Sequence, residues 1–285
     1  MATTKKTTPK KTAAKPKAAS TSKKVEVVSR LDRPLSMDDI ILIVIPYYAA
    51  GAQGRELEYA IAGWRRHFKN TYHIAVVGDY HPVVESGDDI TFIECPRVDE
   101  IEGQYRPHID IVNKFRRAHE VFPDTLGFVY VADDVYAVNN FDIYDVKFLK
   151  QNGSNLNWSK DANTAWGREK AKTHKVLSEN GYTTRNFTTH LPVWFDWDRL
   201  EALFDKFDMT HNSYIIETMY FNVYFWNRIP LQLDFEKDNL KCGVYRPKPR
   251  LDLIAKAFDT KIWIQNSVDG WIPQLDKMLA EYYGL

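Results

Sequence analysis

Two adjacent aspartates, Asp133 and Asp134, follow an apolar run in the stretch GFVYVADDVYAVNNFD, which covers residues 127–142. Hard divalent cations such as Mg²⁺ and Mn²⁺ prefer carboxylate oxygens, and they commonly take further ligands from water and substrate phosphate. A cation bound here could neutralise a diphosphate leaving group as its bond to an electrophile breaks. The alternative is a polar turn after a strand, because adjacent acids also occur at residues 38–39 and 88–89.

The elements before this pair alternate between strands and helices. Four short apolar runs, DDIILIVIPYY, YHIAVVGDY, ITFIECPR and GFVYVADD, predict strands. Residues 54–68 and 108–122 carry apolar side chains at helical spacing, which predicts helices. This order predicts an α/β fold with a mostly parallel central sheet flanked by helices. The endings IPYY, GDY and ADD would then converge on one crevice, where such sheets bind ligands. The convergence favours the metal site over the turn.

The second half of the chain has a different pattern. Residues 157–182 predict a helix with loops, and residues 188–207 predict an extended piece followed by a helix. The stretch SYIIETMYFNVYFW is apolar throughout except for Glu217 and Asn222. Residues 271–285 predict an amphipathic helix at the C-terminus.

The stretch FVYVADDVYAVNNFD resembles the metal-binding motif of nucleotide-sugar glycosyltransferases of the GT-A fold, where the fourth strand ends in an acidic pair or Asp-x-Asp. It is also similar to the NDD block of the Stealth family of sugar-phosphate transferases. The resemblance covers roughly residues 40–230 by the order of elements, and it is specific around the aspartate pair. Ala132 stands where a strict Asp-x-Asp has an aspartate, so either aspartate could bind the metal. Asp134 is the favoured ligand, and Asp133 is placed nearer the sugar.

The GT-A resemblance implies a metal-dependent enzyme that moves a sugar from a nucleoside-diphosphate sugar to an acceptor hydroxyl. It implies Mn²⁺ or Mg²⁺ as the cofactor and a donor of the UDP type. It also implies one GT-A-like, Rossmann-related catalytic domain over residues 25–285. A soft boundary divides this domain into a nucleotide- and metal-binding half, residues 25–150, and an acceptor half, residues 151–285.

The same pattern implies five residues that contact the donor. Pro46 and Tyr47 would contact the nucleoside, because a tyrosine can stack on a uracil-like base. Asp79 would accept a hydrogen bond from the base imide or a ribose hydroxyl, although a turn aspartate after a glycine is the alternative. Arg106 and Lys114 would face the diphosphate, and a solvated helix face is their alternative.

Further candidates lie at the same helix entry and in the second half. His108 and Asp110 are the weaker candidates at the helix entry. His190, in TTHLPVWF, is implied as a third metal ligand, because both families often carry a late histidine and neutral imidazole suits Mn²⁺. A histidine satisfied by backbone groups is the alternative. Glu217 is implied as the base that deprotonates the acceptor hydroxyl in an inverting reaction, and a helix-face glutamate in a salt bridge is the alternative.

The first 24 residues hold eight lysines and no acid, whereas the rest of the chain holds 30 basic and 38 acidic residues. This composition predicts a disordered tail. The tail would contact nucleic acid, a membrane surface or an acidic partner, or it would only keep the chain in solution. The acceptor therefore stays open among a polysaccharide, a protein and modified DNA.

The location and the competing functions follow from weaker signals. No run of about 18 apolar residues predicts a membrane span. The two cysteines lack metal-site spacing and favour a reducing compartment, so we expect a cytoplasmic protein.

The rivals to glycosyl transfer are a Stealth-like sugar-phosphate transferase and an inactive protein that binds a nucleotide or nucleic acid. A nucleotidyltransferase is a further alternative, because Gly51, Gly54 and Arg55 follow the first strand.

Overall fold

The computed structural model describes residues 35, 39–98, 100–101, 104–153, 160 and 163–285. The predicted tail, residues 1–24, lies outside the described residues. The strands are β1 (Ile41–Tyr47), β2 (Tyr72–Gly78), β3 (Ile90–Glu94), β4 (Glu100–Ile101), β5 (Gln104–Tyr105), β6 (Gly127–Tyr130), β7 (Val135–Ala137), β8 (Lys150–Asn152), β9 (Val193–Asp196), β10 (Leu231–Leu233), β11 (Lys241–Val244) and β12 (Trp263–Asn266). The helices are α1 (Glu56–His67), α2 (Pro107–Val121), α3 (Ile143–Lys147), α4 (Ala165–Glu179), α5 (Trp197–Phe207), α6 (Ile216–Tyr224), α7 (Leu251–Thr260) and α8 (Pro273–Tyr283).

The central sheet has five strands in the order β3-β2-β1-β6-β9. The first four are parallel, and β9 runs antiparallel to β6 at the edge. Because β1 lies between β2 and β6, the carboxyl ends of these three strands meet at one edge of the sheet. The predicted α/β class with a mostly parallel sheet is confirmed.

The strand β1 is apolar throughout because helices cover both faces of the sheet. Ile41, Ile43 and Ile45 pack in one core cluster together with apolar side chains of α1. Leu42 and Val44 point to the opposite face and pack in a second cluster with side chains of α2, α5 and α6. The alternation fixes the register of β1, since a shift by one residue would exchange the two faces.

A smaller sheet includes β7, which follows the aspartate pair directly in the chain. This sheet was not predicted from the sequence. It has the order β11-β12-β7, in which β12 is antiparallel to β7. A third core cluster, made largely by α7, α8 and the small sheet, packs it against Tyr59 of α1. The C-terminal part of the chain therefore returns to the edge of the central sheet where Asp133 and Asp134 lie.

The remaining short strands of the described residues form two two-stranded units. The short strands β8 and β10 form a parallel pair, and β4 and β5 form a two-stranded antiparallel unit. Within the described ranges, every helix is too short or too polar to cross a bilayer.

Candidate functional site

A cavity of about 300 Å³ opens at the carboxyl edge of the central sheet. Its walls come from the loop after β1, the first turns of α1 and α2, the end of β6 and the turn that follows β6. The lining residues are Pro46, Tyr47, Tyr48, Gly51, Gln53, Glu56, Arg97, Pro107, Asp110, Ile111, Lys114, Tyr130, Ala132, Asp133, Asp134 and Val268. The predicted convergence of strand endings thus brings residues from several elements to one cavity.

Two residues separate the aspartate pair from the end of β6, which stops at Tyr130 rather than at the pair. Asp133 and Asp134 form the turn between β6 and β7. Burial raises the pKa of Asp133 to about 8, and the charges of Asp134 and Glu56 add to the effect. Burial also raises the pKa of Asp134 to about 6, although a hydrogen bond from Gln265 opposes it. Burial and mutual repulsion disfavour ionisation of both carboxyls at once. A bound cation would offset this cost, because its positive charge stabilises both carboxylates.

The donor set suits a cation that is bound jointly with phosphate. Among the described residues, no group of three or more His, Cys, Asp or Glu side chains could hold a metal ion by itself. Mg²⁺ commonly binds one or two carboxylates and completes its coordination with waters and substrate phosphates. The two aspartates therefore fit a hard cation whose remaining ligands come from a substrate, and they do not form a protein-only metal site.

Partners from the C-terminal part hold this turn in place. The Gln265 side-chain amide donates to Asp134 Oδ2 at 2.9 Å, and the Asn266 backbone N–H donates to the Asp134 carbonyl at 3.3 Å. The Asn266 side chain donates to Glu56 Oε1 at 2.7 Å, while Glu56 Oε2 accepts from the Gln53 N–H at 2.7 Å. Glu56 is thus an acid of the cavity wall whose two oxygens are already engaged.

Lys114 is the predicted basic residue that the structure places at the cavity. It is 2 % exposed, and its Nζ donates to Asp110 Oδ2 at 2.7 Å and to the Tyr47 carbonyl at 3.3 Å. It does not belong to a solvated helix face. Arg106 precedes α2, does not line the cavity, and donates from Nη1 to the His211 carbonyl at 3.3 Å.

The nucleoside side of the cavity has two tyrosines. Pro46 and Tyr47 line the cavity as predicted, but Tyr47 is only 4 % exposed and its ring meets His81 edge-on at a centroid distance of 5.6 Å. Tyr48, which sequence reasoning missed, is more exposed, and the Arg97 guanidinium lies 3.5 Å from the centroid of its ring. Arg97 follows β3, so the same strand-end argument could have identified it.

Asp79 lies beside the cavity and does not line it. Its Oδ2 accepts from the Ala49 N–H at 2.9 Å, and its own N–H donates to the Tyr47 carbonyl at 3.3 Å. The carboxylate therefore fastens the loop after β1. A contact of Asp79 with the base or the ribose stays a prediction.

Two residues predicted from the second half lie outside the cavity wall. Glu217 is in the first turn of α6; burial raises its pKa to about 7, and it forms no salt bridge among the described residues. Its charge acts on Tyr130, which does line the cavity. His190 is exposed, has a left-handed backbone with φ of 52°, and has its ring 6.0 Å from that of Trp166. Glu217 thus acts electrostatically on a wall residue, and His190 does not line the cavity with the aspartate pair.

His108 belongs to a buried polar cluster behind the start of α2. The Ser213 hydroxyl donates to Glu169 Oε1, and Glu169 Oε2 lies 3.9 Å from His108 Nδ1. Burial lowers the pKa of His108 to about 3 and raises the pKa of Glu169 to about 7, although Ser213 and Lys172 oppose the shift of Glu169. Asp110, the other candidate at this entry, accepts from the Val98 N–H at 3.0 Å and pairs with Lys114.

The raised pKa of Glu169 predicts a pH dependence of stability. Glu169 keeps its proton up to a pH of about 7 in the folded state but only up to about 4.5 in the unfolded state. Its contribution to the free energy of unfolding is therefore fully present below about pH 4.5 and is lost as the pH rises through 7. The loss is about 3 kcal/mol by this shift. Glu169→Gln should remove it, so urea unfolding at pH 5 and pH 8 should differ less for the variant than for the wild type. Equal pH dependence in both would contradict the assignment.

The comparisons with known proteins give structural likeness alone. No protein-family model and no curated protein matches the chain. One similar solved structure is a glycosyltransferase involved in the glycosylation of the major capsid of PBCV-1, with 14 % identity, a TM-score of 0.39, and coverage of 87 % of this chain and 100 % of that one.

Two further solved structures have similar values. The WbbM bifunctional glycosyltransferase in its apo form has 14 % identity and a TM-score of 0.42, over 82 % of this chain and 46 % of that one. An active-site mutant of LgtC has 11 % identity and a TM-score of 0.45, over 86 % of this chain and 95 % of that one. At these values, function has to be argued from the site itself.

Proposed function

We propose that this chain is a metal-dependent glycosyltransferase that moves a sugar from a nucleoside-diphosphate sugar to an acceptor hydroxyl. The observation that carries the proposal is the composition of one cavity wall. It combines the Asp133–Asp134 pair, the buried Lys114 and the accessible aromatic Tyr48. A nucleoside diphosphate needs these three kinds of contact, since its phosphates bind cations and its base stacks on an aromatic ring.

Each group has a role in this proposal. Asp134 and Asp133 would hold Mn²⁺ or Mg²⁺ together with the diphosphate oxygens, and the bound cation would neutralise the charge of the leaving diphosphate. Lys114 binds the diphosphate from the side of α2, and Tyr48 with Arg97 borders the nucleoside. Glu217 accepts the proton of the acceptor hydroxyl, because a carboxyl with a pKa of about 7 serves as a base near neutral pH.

Donor binding and hydrolysis with Asp134→Asn test the proposal. Wild-type protein should bind a nucleoside-diphosphate sugar more tightly with Mn²⁺ than without, and it should slowly release free nucleoside diphosphate. Loss of an outer partner of a metal ligand costs about 10- to 100-fold in metal affinity, so loss of the ligand itself should cost at least as much. Equilibrium titration of a panel of nucleotide sugars, with and without Mn²⁺, measures the effect.

Asp88→Asn is the matched control, because Asp88 is an exposed member of another adjacent acid pair, away from the cavity. It should bind the donor as the wild type does. Unchanged metal-dependent binding in Asp134→Asn would refute the site. The released product separates the reaction classes: a nucleoside monophosphate would indicate sugar-phosphate transfer, and pyrophosphate would indicate nucleotidyl transfer.

A further inference from the structure

Tyr130 lies at the carboxyl edge of the central sheet. It is the last residue of β6, with Val44 of β1 as its partner on one side and Val193 of β9 on the other. Its ring meets Phe115 edge-on at a centroid distance of 5.1 Å and lies nearly parallel to Phe195 at 6.2 Å. Both phenylalanines are fully buried, so the Tyr130 ring has one position.

The Tyr130 hydroxyl differs from those of its neighbours in the same core cluster. The Tyr220 hydroxyl accepts from the Asp196 N–H at 3.1 Å, and the Tyr224 hydroxyl donates to the Arg199 carbonyl at 2.7 Å. Tyr130 makes no side-chain hydrogen bond with any residue that the structure describes, although it lines the candidate cavity. Its hydroxyl is therefore available to a ligand in the cavity.

The charges around Tyr130 decide what its hydroxyl can do. Burial raises its pKa well above the usual value, and the carboxylates of Glu217, Asp134 and Asp133 raise it further. The phenol stays protonated at any pH at which the protein works, so it acts as a hydrogen-bond donor without giving up its proton. It also lies within the electrostatic reach of both Glu217 and the aspartate pair, which the proposed reaction assigns to the acceptor and to the diphosphate.

We infer that Tyr130 is a catalytic residue whose hydroxyl donates a hydrogen bond to the phosphate oxygen that leaves the sugar. The inference rests on the glycosyl transfer proposed above. In that step the bond between the anomeric carbon and the phosphate oxygen breaks, and its electron pair stays on the oxygen. The acceptor oxygen forms the new bond to carbon, and its proton passes to Glu217. Tyr130 keeps its own proton throughout.

The leaving oxygen is favoured over the acceptor oxygen for a physical reason. The leaving oxygen gains negative charge as the bond breaks, and a fixed donor stabilises that charge more strongly in the transition state than in the ground state. The acceptor oxygen instead becomes more positive and donates its proton. A neutral donor adds no further charge to a cavity whose wall already holds four carboxyl residues. As a donor that keeps its proton, it serves the first oxygen and not the second.

Tyr130→Phe isolates the hydroxyl, because it keeps the ring that packs between Phe115 and Phe195. With water as the acceptor, the same leaving oxygen departs, so hydrolysis of the donor sugar suffices as the assay. We expect the turnover number to fall by about 100-fold, as for other single donors to a developing oxyanion. The dissociation constant of the donor in the presence of Mn²⁺ should change by less than about twofold, because the contact strengthens only in the transition state.

Tyr224→Phe is the matched control, since it removes a hydroxyl from the same core cluster whose partner is a backbone carbonyl. It should leave turnover and donor binding unchanged. Turnover within about twofold of the wild type in Tyr130→Phe would overturn the inference, and so would a loss of donor affinity that equals the loss of turnover. If Asp134→Asn behaves as expected while Tyr130→Phe is normal, only this inference fails; a wild type that hydrolyses no nucleotide sugar overturns both proposals.

Discussion

Gly78→Ala is expected to destabilise the protein by about 3–5 kcal/mol, in the range of severe core substitutions. Gly78 ends β2 with φ of 139°, and a Cβ built on it would lie 2.0 Å from the Tyr47 carbonyl oxygen. That oxygen cannot move away easily, because β1 is buried between β2 and β6 and Lys114 donates to the same carbonyl. Urea unfolding of wild type and variant measures the loss.

The clash would also disturb the candidate site. The added methyl group would lie 3.0 Å from Lys114 Cε, so any relief of the strain moves either the β1 ending or the lysine. Gly181→Ala is the control, because Gly181 also has a positive φ, 74°, but nothing lies within 4 Å of its Cβ position. Gly181→Ala should lower the free energy of unfolding by about 1–2 kcal/mol, the usual penalty for a non-glycine residue with a left-handed backbone. Equal losses in the two variants would show that the close approach at Gly78 has no effect.

The positions that the sequence predicted well depend on local pattern. The apolar runs and helical spacing placed β1, β2, β3, α1 and α2 within a few residues, and the parallel order then required their polar endings to meet. Pro46, Tyr47, Asp133 and Asp134 reach the cavity for this reason, whereas Lys114 reaches it from α2. The end of β6 was placed too late, because Val131 and Ala132 continue its apolar pattern. The strand nevertheless ends at Tyr130, and the chain turns at the aspartate pair before β7 begins.

The positions that the sequence could not predict depend on contacts between distant segments. Gln265 and Asn266 reach the aspartate turn from β12, and Asn266 also binds Glu56, 210 residues away in the chain. Nothing in the local pattern of β12 indicates these partners, since a strand with two polar residues fits an exposed edge equally well. Gln265 and Asn266 reach the aspartate turn because β12 pairs with β7, and this pairing depends on the whole fold.

Burial explains a second class of differences. Tyr47 and Tyr48 are identical in type, but Tyr47 is the last residue of β1 and is buried, whereas Tyr48 follows the strand and is more accessible. Likewise, Lys114 lies close to Arg116 and Arg117 in the sequence, yet of these three residues only Lys114 is buried. Arg116 instead pairs with Glu201 at 3.0 Å, and Arg117 with Glu120 at 2.7 Å.

Lys114→Met is expected to destabilise the protein by about 3–5 kcal/mol, because it leaves a buried carboxylate without its ion-pair partner. Asp110 is 6 % exposed and, among the described residues, would keep only the N–H of Val98 as a hydrogen-bond donor. Methionine fills nearly the same volume as the lysine stem, so packing changes little. Lys150→Met is the matched control for removing a buried lysine. Lys150 donates to the carbonyls of Asp145 and Val146 and does not line the cavity.

The double variant Lys114→Met with Asp110→Asn separates the structural role of the lysine from its role in binding. The asparagine keeps an oxygen for the Val98 N–H and carries no charge, so most of the lost stability should return. If Lys114 binds the diphosphate, donor affinity should stay about 10- to 100-fold weaker than in the wild type, as for the loss of one charge-assisted hydrogen bond. Recovery of both stability and donor affinity in the double variant would show that Lys114 only neutralises Asp110. Recovery of stability alone would assign the lysine to the phosphate side of the cavity, because the ion pair would then no longer account for the loss of binding.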